Sequence, residues 1–296
     1  MAEKKSWIKR TFKTLGLWVL LFLLGEAFWV FIISPWASNF GATRAERDRA
    51  LPGDQFVPNP FAQSTQALTI NAPAEEVWRW LIQIGQDRGG FYSLTFLENL
   101  VGGDMHNRIE IRPEWQERKV GDTVRLAPPS KGGSIGGLAC PVLAVEPPRF
   151  LYLKGWGAFV LEPAAGGGST RFFIRGRNDM GSAVRIAMKL FLEPIHFIMQ
   201  RRMMLGIKEV AEAGAKKPAI PSAGDYVWFL SLVAAGLLIL ILTASRFTVR
   251  KCAAASGAAI LVTLTLLRLP PSPFFGAGVL LLVLITFVRL RRAKPR

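Results

Sequence analysis

Histidine and cysteine are nearly absent, with two of each in 296 residues. His106 and His196 are too few for a typical metal site, and Cys140 and Cys252 are too few for a metal cluster. Cys140 lies in the polar middle of the chain and Cys252 in an apolar terminal run, which argues against a disulfide and leaves the compartment unread. The glycine-rich run at residues 131–137 (KGGSIGG) has no Gly-Lys-Ser/Thr after it and precedes a strand-like stretch rather than a helix. It is therefore a flexible hairpin and not a phosphate-binding loop. No serine has a histidine and an acid near it in a nucleophile-elbow arrangement, and no cofactor is expected.

What the chain has in excess is apolar sequence: 50% of it is hydrophobic, at a mean hydropathy of +0.28. The excess is concentrated at the ends. Residues 15–33 (LGLWVLLFLLGEAFWVFII) contain a single charge, Glu26, and approach the length a helix needs to cross about 30 Å of hydrocarbon. A second candidate span covers about 226–244, a third 252–267 and a fourth 274–288. The prolines of LRLPPSP (267–273) divide the last two, which predicts a hairpin of short or tilted spans. Four spans are expected, one before and three after a central soluble domain. A charge at mid-bilayer needs a polar partner or a proton, so Glu26 points to Thr243, Thr263 or Thr265 in the C-terminal cluster. A cleaved signal peptide is the alternative for the first span. Its apolar run is long for that, and residues 34–40 (SPWASNF) offer no convincing cleavage site.

The net charge of +16 is not one nucleic-acid patch. Residues 44–217 carry about 23 basic and about 18 acidic side chains, so most of the excess lies outside the soluble part. Lys4, Lys5, Lys9, Arg10 and Lys13 precede the first span. Arg246, Arg250 and Lys251 lie between the second and third, and Arg289, Arg291, Arg292, Lys294 and Arg296 follow the fourth. The positive-inside bias then places both termini in the cytoplasm and the soluble domain outside, in a multi-pass cell-membrane protein.

The expected organisation is a basic segment and span over 1–40, a linker over 41–65, a soluble domain over 66–217 and a membrane region over 218–296. The linker is rich in Pro, Gly and polar residues and reads as an extended lead-in outside the core. Residues 66–71 alternate as a strand. Pro73 and the acids Glu75 and Glu76 then open a helix whose apolar face is Val77, Trp80, Leu81 and Ile84. Glycine pairs bound an aromatic segment at 89–103. Strand-like runs at 123–127, 138–145, 150–154, 156–162 and 170–175 are separated by tight turns, which implies an antiparallel meander. A periodic segment over 182–213 closes the domain as one amphipathic helix kinked at Pro194. It is read with Val184, Met188, Phe191, Ile195, Ile198 or Met199, and Met203 on its apolar face, and with Arg185, Lys189, Glu193, His196 and Gln200 on its polar face.

The opening Thr69-Ile70-Asn71-Ala72-Pro73-Ala74-Glu75-Glu76-Val77-Trp78 carries a family resemblance, together with VGDTVRLAP (120–128), WGAFVLEP, TRFFIRGR and HFIMQRRMMLGIKEVAE (196–212). Over about 66–213 the chain resembles the SRPBCC superfamily, the START/Bet v 1-like, polyketide cyclase and lipid-transport group. Its Gly-Phe-Tyr-Ser and Arg112-Pro113-Glu114-Trp115 stretches resemble a bacterial subgroup with no settled activity. The resemblance implies an α+β helix-grip fold, a curved antiparallel sheet around a long C-terminal helix, with a hydrophobic cavity for a lipid, sterol-like or polyketide-like molecule.

Candidate cavity walls are Tyr92, Trp115, Trp156, Phe173, Met188, Phe191, Ile195 and Met199; the plainer reading is that they fill a packed core. Arg175 and Arg177 share one strand face and could hold a ligand carboxylate or phosphate, against a solvated outer face. Asp104 and His106 are the weak candidates for acid–base catalysis, against an ordinary loop histidine. Three functions follow. The first is membrane-tethered binding or transfer of a hydrophobic small molecule. The second is a cyclase or dehydratase, and the third an accessory subunit of a membrane protein complex. The expected partners are a lipid or other hydrophobic molecule and the membrane, with no nucleic acid.

Overall fold

Strand-length runs punctuated by Gly- and Pro-containing turns assemble one six-stranded sheet. The computed structural model describes residues 16, 19, 20, 23–129, 137–164, 166–179, 193–214, 218–244, 249–267 and 271–292. The chain divides into two compact units, Ile32–Pro221 and a second drawn from Met1–Phe31 with Ser222–Arg296.

In the first unit the strands are β1 (Ala62–Ile70), β2 (Thr123–Arg125), β3 (Ala139–Glu146), β4 (Phe150–Leu153), β5 (Gly157–Pro163) and β6 (Thr170–Asn178). Their order is β1-β6-β5-β4-β3-β2, and each neighbouring pair is antiparallel. The meander is therefore as expected, closed by the first strand returning beside the last. The protein is α+β with an open antiparallel sheet and a C-terminal helix on one of its faces.

That face carries the larger core. Ile70, Leu151, Leu153, Phe159, Leu161, Phe172 and Ile174 of the sheet cluster with Val77, Trp80 and Leu81 and with Met203, Met204, Ile207 and Val210. The middle group comes from a helix over Ala74–Leu81, started by Pro73 and by Glu75 and Glu76 in its first turn. The last group comes from the closing helix, Glu193–Glu212. The glycine at 206 brings it close: a Cβ there would lie 2.0 Å from the Tyr92 carbonyl oxygen.

The closing helix presents a different face from the one expected. Ile195 is 60% exposed, while Phe197, Gln200, Arg201, Arg202, Met203, Met204 and Ile207 are buried. Polar residues that bring their own partners read as solvated in a sequence, and here three of them lie inside. Residues 182–192 of the expected helix, with Met188 and Phe191, lie outside the described residues.

The second sheet face is also covered, and this changes the reading of the lead-in. Strand β1 begins at Ala62, not Gln66, and its second-face residue Ala67 clusters with Phe150, Tyr152, Ala158, Val160, Phe173 and Leu51. All four residues of β4 are buried, so apolar side chains point both ways and both faces need a cover. The cover is a short helix, Arg44–Asp48, followed by a turn at Leu51–Phe56. At Gly53 (φ 98°) a Cβ would meet the Tyr152 ring at 2.7 Å. The edge of β1 is not bare either: the N–H groups of Thr65 and Ala67 donate to the carbonyls of Ser38 and Phe40 at 2.7 and 2.9 Å.

The second unit contains helices over Ala223–Ala244, Val249–Leu267 and Pro273–Arg292. Ser222 and Asp225 cap the first, the Asp225 carboxylate accepting from the Ser222 N–H at 2.6 Å. Gly276 of the third approaches the Trp228 backbone, where a Cβ would stand 3.0 Å from its Cα. Four spans were expected; among the described residues two helices, Ala223–Leu242 and Pro273–Arg291, are long and apolar enough to cross a membrane. The other two candidates, Leu23–Ala37 and Ala254–Leu266, are shorter apolar helices. Over the described residues alone, at about 1.5 Å per residue, these two apolar stretches are shorter than a hydrocarbon core of about 30 Å. Glu26 Oε2 is buried without a hydrogen-bond partner among the described residues. Thr263 and Thr265 instead donate to the carbonyls of Ala259 and Leu261 on their own helix, at 3.0 and 2.8 Å. The Thr243 side chain lies outside the described residues.

Candidate functional site

On the helix-bearing face of β1 the alternation that buries Leu68 and Ile70 inward also places Ser64 and Gln66 inward, opposite Gly176 and Ile174 of β6. Facing them are the first turns of the closing helix. Between the two lies a half-open cleft of about 90 Å³, lined by Ala37, Ser38, Ser64, Gln66, Trp156, Gly176, Glu193, His196, Phe197 and Gln200.

Its floor is a directed hydrogen-bond chain. The Trp156 indole N–H donates to Gln200 Oε1 at 2.7 Å, Gln200 Nε2 to Gln66 Oε1 at 3.1 Å, and Gln66 Nε2 to the Ala37 carbonyl at 3.0 Å. Both glutamines are buried, so each link satisfies a group that would be costly to leave unpaired. The apolar core ends at this chain. Phe159 and Phe91 pack against one side of the Trp156 ring and His196 stands 6.0 Å from it.

The rim is set by the last turn of the Leu23–Ala37 helix and the residues that follow it. Ser34 Oγ donates to Glu193 Oε1 at 2.8 Å, and Ser38 Oγ to the same oxygen at 3.2 Å. One to two turns along the closing helix, the Arg201 guanidinium stands 3.9 Å from the Phe40 ring centre, with the rings of Trp36 and Phe197 also within cation–π range. Burial lowers the Arg201 pKa to about 10, so it stays cationic at neutral pH. From sequence Gln200 reads as part of the polar face of the closing helix, and Gln66, Ser38 and Ser64 carry no mark. The available signal was their phase, since Gln66 alternates with Leu68 and Ile70, and Gln200 stands at helical spacing from Phe197 and Met204.

Of the described residues proposed from sequence as cavity walls or catalytic groups, only Trp156 lines this cleft. Tyr92 lies fully buried in the core beside it, its ring edge-on to Trp80 and its hydroxyl accepting from Gln83 Nε2 at 2.7 Å. Burial raises its pKa. The Met199 carbonyl accepts from Ser93 Oγ at 3.1 Å, and Ile195 points outward. Trp115 is half-buried in a separate short turn under the Arg112 guanidinium, 4.8 Å from its ring centre.

Phe173 and Arg175 are not brought together with these residues, because odd-numbered positions of β6 face the other side of the sheet. There Arg175 is 2% exposed, holds Asp54 at 2.9 Å, and donates to the carbonyls of Glu46, Arg47 and Arg49 at the end of the Arg44–Asp48 helix. Arg171 does the same for Glu46 at 2.8 Å, and that hydrogen bond is the main reason the Glu46 pKa falls to about 2. These arginines fasten the cover to the sheet.

Asp104 and His106 do meet, Nε2 to Oδ1 at 3.4 Å, with side chains 46% and 66% exposed. They stand on the surface, outside the cleft. No group of three or more potential metal-binding side chains occurs among the described residues.

No family model and no curated protein matches the chain. The crystal structure of protein MLL2253 from Mesorhizobium loti is similar to it over 52% of this chain and 100% of that one, at 17% sequence identity and a TM-score of 0.29; a likeness at that level carries no inference about fold or function.

Proposed function

We propose that this chain is a membrane-tethered module that binds or transfers an amphipathic small molecule, a lipid or a polyketide-like compound, in a helix-grip domain of the SRPBCC kind. The order strand, helix, antiparallel meander, long closing helix supports the helix-grip reading. The basic flanks of the apolar segments support a soluble domain outside the cell with cytoplasmic termini. The observation that carries the proposal is the cleft: the sheet–helix core is solid through Phe172 and Met204, then stops at the Gln66–Gln200–Trp156 chain and opens. One water takes on the order of 10–15 Å³ of such space. A cleft of about 90 Å³ therefore takes a polar end group and a few atoms beyond it, not a whole acyl chain. The apolar remainder of the ligand lies outside it, and tethering keeps the cleft close to a membrane supply.

The test is native mass spectrometry with lipid extraction on the full chain purified in detergent, beside a Ser64→Phe variant that fills the cleft. A near-stoichiometric amphiphile present in the wild type and lost from the variant supports the proposal. The same lipid complement in both would overturn it.

A second reading, an accessory subunit of a membrane complex, is favoured by how fully Trp80, Tyr92, Phe159 and Phe172 fill the sheet–helix interface, and by Leu100 and Val120, which are 80% and 61% exposed. It predicts an empty cleft and a co-purifying protein.

A further inference from the structure

The chemistry of the cleft lining selects the kind of polar group that fits, and we infer that it is an uncharged, hydroxyl-bearing head group and not a phosphate or carboxylate. This rests on the binding reading above. Among the described lining residues there is no lysine or arginine. The nearby Arg201 is committed to the rings of Trp36, Phe40 and Phe197 and does not line the cleft. The formal charge that is present is negative: Glu193, whose two oxygens accept from Ser34 at 2.8 and 3.1 Å.

An anionic head group entering here would meet the like charge of Glu193, and no lysine or arginine among the described lining residues offsets it. It would also offer only acceptors. The floor needs both kinds of partner. Each glutamine amide spends one N–H and one acceptor site on the chain that links Trp156, Gln200, Gln66 and Ala37, which leaves it one further N–H to give and one lone pair to fill. Glu193 and the Ser64 hydroxyl accept as well. A hydroxyl group gives one hydrogen bond and takes up to two, so two or three neighbouring hydroxyls match this surface where a phosphate does not. Among the described lining residues His196 is the one able to become a cation, and above its ordinary range it is a neutral donor and acceptor. The ligand class is thus an amphiphile with hydroxyls at its polar end, whether the glycerol of a membrane lipid or the hydroxyls of a polyketide-like chain.

The experiment uses the full chain in phosphatidylcholine nanodiscs at pH 8, titrated separately with 1-decanoylglycerol, methyl 3,5-dihydroxydecanoate and dioctanoyl phosphatidic acid. Saturable binding is followed by tryptophan emission in the wild type and in Glu193→Gln. Binding of either hydroxyl probe at least about tenfold tighter than phosphatidic acid, with the gap narrowed by Glu193→Gln, is the expected result, and the tighter of the two identifies the source. Phosphatidic acid binding as tightly as the hydroxyl probes would overturn this inference and leave the binding reading intact. Saturable binding of none of the three would remove both. The comparison of probes on the wild type stands whether or not the variant folds.

Discussion

Gln200 and Gln66 meet across the sheet–helix interface, Nε2 of the first donating to Oε1 of the second at 3.1 Å, with both side chains buried. One comes from the closing helix and the other from an edge strand 134 residues earlier. The pair fixes where the helix sits along β1, because a shift of the strand by one residue would turn Gln66 to the opposite face. It also marks the place where apolar filling stops.

Gln200→Leu removes the middle of the chain and leaves the Trp156 indole N–H and Gln66 Oε1 without their partners. A buried group left unpaired costs about 1–3 kcal/mol. The variant is expected to lose that much stability in urea unfolding followed by near-ultraviolet circular dichroism, while Ile195→Gln, at an exposed position on the same helix, loses less than about 0.5 kcal/mol. Equal losses would mean that the glutamine chain contributes nothing particular.

Arg175→Met is expected to cost about 1–3 kcal/mol, because it removes one of the two arginines beside Asp54 and the donor to three carbonyls on the covered second face. Limited proteolysis should then cut within residues 41–61 before anywhere else in the domain. Acid acts on the same cover through Glu46. Its folded pKa of about 2 lies below the ordinary carboxylate value of 4.5, so the stability it contributes is present above about pH 4.5 and is lost as pH falls toward 2. Cutting that rises across this window in the wild type, and does so less in Glu46→Gln, is the expected pattern.

The meander from β2 to β6 and the helix after Pro73 were legible because each rests on local chemistry: alternation, turn residues, and acids in a first turn; the pairing of β1 with β6 was not. The cover over residues 41–57 was not, since Leu51 and Gly53 matter only against Tyr152 and its neighbours on a strand far along the chain. The unbroken apolar run FLYL at 150–153 was the available warning that both faces are buried. The phase of the closing helix was misread for a related reason. Its inward face carries Gln200, Arg201 and Arg202; Gln200 meets an indole and an amide and Arg201 the rings of Trp36 and Phe40, all from other elements, while Arg202 pairs with Glu209 on the same helix. Arg175 was set between ligand and solvent, and a buried structural ion pair was not among the alternatives weighed.

His106→Ala is expected to change stability by less than about 0.5 kcal/mol, as for exposed ion pairs in general. It should also leave any amphiphile that co-purifies with the chain unchanged, because the Asp104–His106 pair stands on the surface and away from the cleft. Loss of the bound molecule in this variant, measured by the same extraction and mass spectrometry, would restore the pair as a candidate for acid–base work.

Glu98 supplies the last test, on the short helix Thr95–Leu100. Its Oε2 is buried without a hydrogen-bond partner among the described residues, and burial raises its pKa to about 8. Between the ordinary carboxylate range and about pH 8 the folded chain holds a proton there that the unfolded chain has lost, so this group makes the domain less stable as pH rises through that window. Glu98→Gln keeps the shape and removes the titration. Compared with wild type it is expected to be little changed at pH 4, more stable by about 1–3 kcal/mol at pH 8, and flatter in between. Urea midpoints across that range read the difference directly, and parallel pH profiles for the two proteins would show that the carboxyl is solvated after all.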